Sequence, residues 1–302
     1  MGRKQRAQYL IYIVLAVVAI LLYLRLQRPV EGFEEKQKPK GIILEVIGGL
    51  GNQLYIYSAG KVMQKATGAQ IFMVSPRDHV SYKNPHSKMD YRPILFKDIT
   101  SIERDAPQFS DKIDARVERT FWHHWTADSI PSTDKYVFLY DHWYQNYPSI
   151  ESVIPEVRRS VVNTLQGLYP DMKVDSGTAF IHVRRGDYTE SGYVLGMDYF
   201  NKALKALDNE GITSYYIFSD DIRWCKEQKW DTDKNMKYID EPDELKALYM
   251  MSQCRGGAVI SNSTFSTWGA ILGAHDAGSR IVYPSKWLYG ASTDFPSSWI
   301  RI

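Results

Sequence analysis

The stretch GTAFIHVRRGDY, residues 177–188, runs from an apolar segment straight into a histidine, two arginines and an aspartate. Its first part reads as a β-strand over 177–183. Inside a strand Arg184 and Arg185 would point to opposite faces; past its carboxyl end the backbone turns, and both are expected to face a cleft. Further strands are predicted outward from this point, at 214–219, 236–239, 257–261 and 279–283. They alternate with helical segments at 197–209, 221–229, 242–254 and 264–274. Such alternation implies a parallel sheet with helices on both faces. Ligands of such sheets sit outside the carboxyl ends of the strands. HVRRGDY, SDD at 219–221 (with Asp220 at its centre) and SNSTF at 261–265 all fall there, three polar loops on one rim.

The preceding half carries a second, less regular pattern. GIILEVI, residues 41–47, is an apolar run that stops at Gly48-Gly49, and LGNQLYIYSAGKVMQKATG then reads as a helix closing at Gly68. AQIFMVS follows as a strand, giving a β-loop-α-β unit. Residues 76–135, rich in Pro, Asp, Lys and His, have no clear period and are expected to be surface loops that shape a binding site. YVFLYD at 136–141 is a further strand, and 149–168 reads as a helix linking two lobes. The expected boundaries are 41–165 for the first lobe and 166–302 for the second.

A chain of 302 residues with 44% apolar composition can bury a sizeable core. Its net charge is only +2, and the first forty residues hold +5 of it, which leaves the body slightly acidic. A nucleic-acid groove, which needs an excess of Lys and Arg, is therefore not expected. Tyr9 to Leu24 is free of charge and flanked by Arg3, Lys4, Arg6, Arg25 and Arg28. Its length as a helix is about 24 Å, enough for a thin bilayer, and no small-residue cleavage site follows it. Residues 1–8 are accordingly expected as a cytoplasmic tail, 9–26 as a transmembrane anchor and 27–40 as a stem.

The chemistry of the rim points to an anion. A guanidinium fork pairs bidentately with phosphate oxygens, so Arg184 and Arg185 suit a nucleotide diphosphate. Ser261, Asn262, Ser263 and Thr264 stand where a helix begins and add hydroxyl and backbone donors. Asp187 either orients an arginine or accepts a proton, and Glu190 is the poorer candidate base. Asn52 and Gln53 are candidate hydrogen-bonders to sugar or phosphate, or a polar helix start. The competing structural reading makes the Arg pair and Asp187 a surface salt-bridge turn and Ser263 a helix cap.

GGLGNQLYIYSAG at 48–60, HVRRGDY at 182–188 and SNSTFSTWGAIL at 261–272 together resemble the three signatures of the α-1,2-fucosyltransferase family. The resemblance covers roughly residues 41–290. It implies an α/β fold of GT-B type, with two Rossmann-like lobes facing a cleft, and inverting transfer of L-fucose from GDP-fucose to the 2-hydroxyl of a galactose-terminated glycan, with no metal or other cofactor. His182, Arg184, Arg185 and Asp187 match the donor motif, Asn262, Ser263, Thr264 and Phe265 the third block, and Gly51, Asn52 and Gln53 the first. The short basic tail before the apolar run favours an N-in arrangement, so a single-pass type II Golgi membrane protein with a lumenal body is expected.

Other residues are open to two readings. FWHHW at 121–125 and WYQNY at 143–147 present aromatic faces to a sugar, or pack as core rings. Asp231-Thr232-Asp233 has the form that metal-dependent glycosyltransferases use, and is otherwise a turn. Asn262 heads an N-x-T sequon whose place in the third block argues against glycosylation. Cys225 and Cys254 are the only cysteines, with their pairing undecided. A metal-dependent glycosyltransferase and a catalytically silent sugar-binding membrane protein are the alternatives to a fucosyltransferase.

Overall fold

The computed structural model describes residues 17–18, 37–75, 89–116, 124–140, 142–273, 280–288 and 294–302. The chain divides into residues 1–37 and a compact unit, Lys38–Ile302. Of the expected anchor only the helical Val17 and Val18 are described; the rest lies outside the described residues. No helix among the described residues is long and apolar enough to cross a membrane.

Two parallel sheets organise the compact unit. The first has the order β3-β2-β1-β5-β4, with β1 (Gly41–Glu45), β2 (Gln70–Val74), β3 (Thr100–Ile102), β4 (Lys112–Ala115) and β5 (Tyr136–Leu139). β1 is central because GIILE is apolar enough to be buried on both faces. Gly41 stands level with Gln70 on one side and Tyr136 on the other.

The second sheet runs β11-β10-β9-β6-β7-β8. Its strands are β6 (Thr178–Val183), β7 (Ser214–Ser219), β8 (Asn235–Ile239), β9 (Gly257–Val259), β10 (Ile281–Tyr283) and β11 (Ile300–Arg301). The chain enters at β6, proceeds through β7 and β8 on one side, then crosses to β9 on the other. The strand order therefore reverses between β6 and β9, and a crevice opens there at the carboxyl ends. HVRRGDY leaves β6 and SNSTF follows β9, so both motifs border the crevice.

Helix α1 (Leu50–Thr67) follows β1 and closes at Gly68, whose φ of 67° suits glycine and whose N–H bonds Gln64 O. α2 is Ile154–Leu168, α3 Met197–Leu207, α4 Ile222–Glu227, α5 Glu244–Gln253 and α6 Thr264–Gly273. α1 lies against α6, with Tyr55 and Trp268 meeting edge to face at 5.4 Å. One continuous apolar core runs from Leu44 and Leu54 through Val157 and Val161 to Leu248 and Leu272, binding the helices of both sheets together.

The strands and helices that the alternation predicts in the second half are found, with bounds differing by a few residues, and the sheet gains one unpredicted edge strand, β11. The described parts of 76–135, residues 89–116 and 124–135, differ from the expectation of surface loops. They supply β3 and β4, and bury Tyr91, Leu95, Phe96 and Ile99; Phe96 stacks on Tyr57 at 4.6 Å. TSI and KIDA are edge strands with one ladder neighbour each, too short to show a period. The helix expected over 149–168 begins at Ile154, with Pro155 in its first turn and separate short turns before it.

Candidate active site

A cavity of about 630 Å³ lies outside the carboxyl ends of the second sheet, lined also by the N-terminus of α1 and by Trp143 and Gln145 beyond β5. That volume falls in the range that holds cofactor-sized molecules.

The loop after β6 is built around Arg184. Its guanidinium meets Asp220 Oδ2 at 2.8 Å and donates to Asp187 Oδ1 at 2.7 Å, and it lies 5.3 Å from the centre of the Tyr188 ring. The other N–H groups of the fork have no partner among the described residues. Asp220 Oδ1 also accepts the backbone N–H of Arg185 at 2.8 Å. Asp220 thus holds the loop and its arginine in place. Gly186 is required for this contact, since a β-carbon there would fall 2.5 Å from Asp220 Oδ2.

Arg185 corrects the expectation that both arginines face the cleft. Its Nε bonds Asp221 Oδ2 at 3.1 Å and its guanidinium stacks 4.0 Å from the centre of the Trp224 ring. It does not line the cavity. The Trp224 backbone N–H, and then Arg185, hold the Asp221 carboxyl below its ordinary range. The pair therefore divides into one cleft residue and one that fastens the loop to α4.

His182 is 5% exposed and its Nδ1 lies 2.9 Å from Ser261 Oγ. Burial, and then the charge of Arg184, lower its pKa to about 3, so the imidazole is neutral. It ties β6 to the start of the SNSTF loop and packs against Phe265, ring centres 5.7 Å apart.

Asn262, Ser263, Thr264 and Phe265 all line the cavity as α6 begins. Asn262 is 3% exposed; its Nδ2 donates to Tyr193 O at 2.9 Å, and its Oδ1 is buried with no partner among the described residues. An asparagine so enclosed offers no nitrogen for a glycan. Thr264 Oγ1 donates to Asn52 Oδ1 at 2.9 Å, which joins the two helix N-termini.

Gly51 and Gln53 make structural contacts. A β-carbon on Gly51 would stand 2.5 Å from the Thr264 carbonyl carbon and 2.6 Å from Phe265 N, so glycine lets α1 approach α6. Gln53 is turned inward, donating to Gly48 O and Met89 O at 2.9 and 2.6 Å and accepting from Tyr91 N at 3.2 Å. Gly51 and Asn52 line the cavity, and Gln53 does not.

Asp187 lines the cavity; Glu190, on an exposed turn, does not. Missed in the sequence reading are Asp240, Glu241 and Glu244, which line the cavity beyond β8. Their signal was available, an acidic loop at the same sheet rim. Asp240 has no partner among the described residues, while Glu241 pairs with Lys246 at 2.5 Å and Glu244 accepts from the Tyr91 hydroxyl at 2.5 Å.

WYQNY splits: Trp143 and Gln145 line the cavity, whereas Tyr144 and Trp125 are buried ring to ring at 5.4 Å. Asp231 is drawn to Lys205 at 2.7 Å and lies outside the cavity with Asp233. No carboxylate, histidine or cysteine cluster suited to a metal ion occurs among the described residues. Cys225 and Cys254 are buried and unpaired.

The family model described as Glycosyl transferase family 11 matches residues 108–287. The chain is 25% identical over 301 residues to O-antigen biosynthesis glycosyltransferase WbnK of Escherichia coli, covering 84% of this chain and 98% of that one. It is 26% identical over 257 residues to galactoside 2-alpha-L-fucosyltransferase SEC1 of Bos taurus, covering 78% and 64%. Among solved structures, POFUT1 in complex with GDP superposes with a TM-score of 0.46 at 12% identity, over 82% of this chain and 99% of that one.

Proposed function

Since the chain belongs to glycosyl transferase family 11, the α-1,2-fucosyltransferase family, we propose that it transfers L-fucose from GDP-fucose to the 2-hydroxyl of a terminal galactoside. The observation that carries the reading is the meeting of HVRRGDY and SNSTF at the strand-order reversal of the second sheet, with Arg184 and the N-terminus of α6 on one cavity.

Among the described residues five carboxylates line that cavity, Asp187, Asp220, Asp240, Glu241 and Glu244, against the single arginine Arg184. A diphosphate is repelled from the Asp240–Glu244 side and favoured beside Arg184 and the converging N-termini of α1 and α6, each worth about half a positive charge. The unpartnered Asp240 suits a ligand edge rich in N–H donors, which guanine presents and uracil largely lacks. This supports a guanosine donor.

The proposed step is a single displacement. The acceptor oxygen attacks fucose C1 as the bond from C1 to the β-phosphate oxygen breaks, with inversion at C1. The hydroxyl proton passes to Asp187, and GDP leaves with its added charge met by Arg184 and backbone N–H groups. No metal is required in this scheme. Before transfer Asp187 and Asp220 together aim Arg184; once Asp187 has taken the proton only the Asp220 pair remains, which leaves more of the guanidinium charge for the departing diphosphate.

The test is incubation of the full-length protein with GDP-fucose, UDP-galactose and GDP-mannose, each with methyl β-galactoside, with product linkage read by NMR. Fucose joined α-1,2 is the expected product. Transfer from UDP-galactose with none from GDP-fucose would refute the reading.

A further inference from the structure

The segment Trp143-Tyr144-Gln145 is unusual in its backbone. Tyr144 has φ of 52°, the one non-glycine at positive φ among the described residues. A β-carbon disfavours that region, and a bulky residue held there needs a reason. The chain then closes a three-residue turn, Asn146 N–H to Tyr144 O at 2.8 Å, with Gln145 at its apex.

Fixed contacts on both sides hold this corner. Tyr144 is buried against Trp125, and Asn146 Oδ1 accepts Ser149 N–H at 3.0 Å. Gln145 Nε2 donates to Asn52 Oδ1 at 2.7 Å, the same oxygen that takes the Thr264 hydroxyl. The half-buried Trp143 and the side chain of Gln145 line the cavity. Gln145 is 5% exposed, and its Oε1 is buried with no hydrogen-bond partner among the described residues. An orphan carbonyl of this kind costs stability unless a ligand or water meets it.

We infer that this corner is the subsite for the acceptor sugar: Trp143 packs on an apolar pyranose face and Gln145 meets a ring hydroxyl. The inference rests on the glycosyl transfer proposed above and deepens it. Trp143, Gln145, Asn52 and Thr264 carry no charge, so they suit a neutral polyol better than a diphosphate. A hydroxyl both donates and accepts, so it satisfies an amide at either end. A pyranose with one axial hydroxyl, as in galactosides, leaves a patch of C–H groups on one face that matches an indole; an all-equatorial glucoside has a less continuous one. The strained turn sets Trp143 and Gln145 together at the cleft while Tyr144 goes to the core.

The test compares full-length parent, Trp143→Leu and Trp143→Phe. Acceptor KM is measured for methyl β-galactoside and methyl β-glucoside, alongside GDP affinity by calorimetry. Trp143→Leu should raise the galactoside KM roughly tenfold and erase the preference over glucoside. Trp143→Phe should recover most of both, with GDP affinity within about twofold in each. A folded Trp143→Leu protein that keeps galactoside KM and preference overturns the inference, as does a parallel loss of GDP affinity. If the parent transfers no fucose at all, the proposed function falls. Titration of galactoside into the GDP-loaded protein then decides the subsite: binding weakened by Trp143→Leu sustains it, and binding that is absent or unchanged refutes it.

Discussion

Arg184 and Arg185 are neighbours in sequence with opposite fates, and this predicts opposite variants. Arg184→Ala removes the guanidinium from the cavity and should lower turnover by two to three decades, about 3 to 4 kcal/mol of transition-state stabilisation, with GDP affinity weakened. Arg185→Ala breaks the Asp221 pair and the Trp224 stack, so it should lower the melting temperature and leave turnover largely intact in the folded fraction. Equal loss of turnover in both well-folded variants would contradict the division. His182 makes a prediction in pH. Unfolded, the imidazole titrates near its ordinary 6.5; folded, it stays neutral down to about 3. Between those values the unfolded chain binds the extra proton, so this contribution to stability is complete above 6.5 and is lost as pH falls toward 3. His182→Gln should show a shallower fall of melting temperature between pH 6.5 and 4 than the parent.

At the scale of elements, the two helices that begin at the cavity act as a pair. α1 and α6 come together through Gly51, the Tyr55–Trp268 contact and the Thr264–Asn52 hydrogen bond. Gly51→Ala places a methyl group 2.5 Å from the Thr264 backbone, and the helices must part to accept it. The expected cost is about 1 to 3 kcal/mol of stability, read as a lower denaturant midpoint, together with weaker GDP binding because the anion site is shared by both N-termini. An unchanged GDP affinity would show that α6 alone forms it. Alanine at Gly167, where a β-carbon meets nothing within 4 Å, is the control that isolates helix crowding from the general effect of losing a glycine.

For the whole molecule, the compact unit Lys38–Ile302 contains both sheets and the complete cavity. A chain truncated to that unit should stay in solution and bind GDP. We propose that the full chain is held in membranes by residues 9–26. It should then resist alkaline carbonate extraction, and full release by carbonate would dismiss the anchor. The proposed transfer uses no metal, so EDTA should leave turnover unchanged. Strict dependence on manganese would revive Asp231 and Asp233, which in the fold stand apart from the cavity with Asp231 tied to Lys205.

The sequence by itself determined the second sheet except its two-residue edge strand β11, because strand and helix periods there are local properties, and it located the rim because the carboxyl end of each strand can be read from where its apolar run stops. β3 and β4 were invisible because an edge strand of three or four residues needs one ladder partner and little apolar content. The direction of each side chain was another matter. Arg185 leaves the cleft because Trp224, thirty-nine positions on, offers its ring; Gln53 turns inward because Met89 O and Tyr91 N meet it; Trp143 and Trp125 share a chemistry and differ in what packs beside them. Those outcomes depend on neighbours supplied by distant parts of the chain. Local pattern carries the elements and their ends, and only tertiary packing decides which groups at those ends face the cavity.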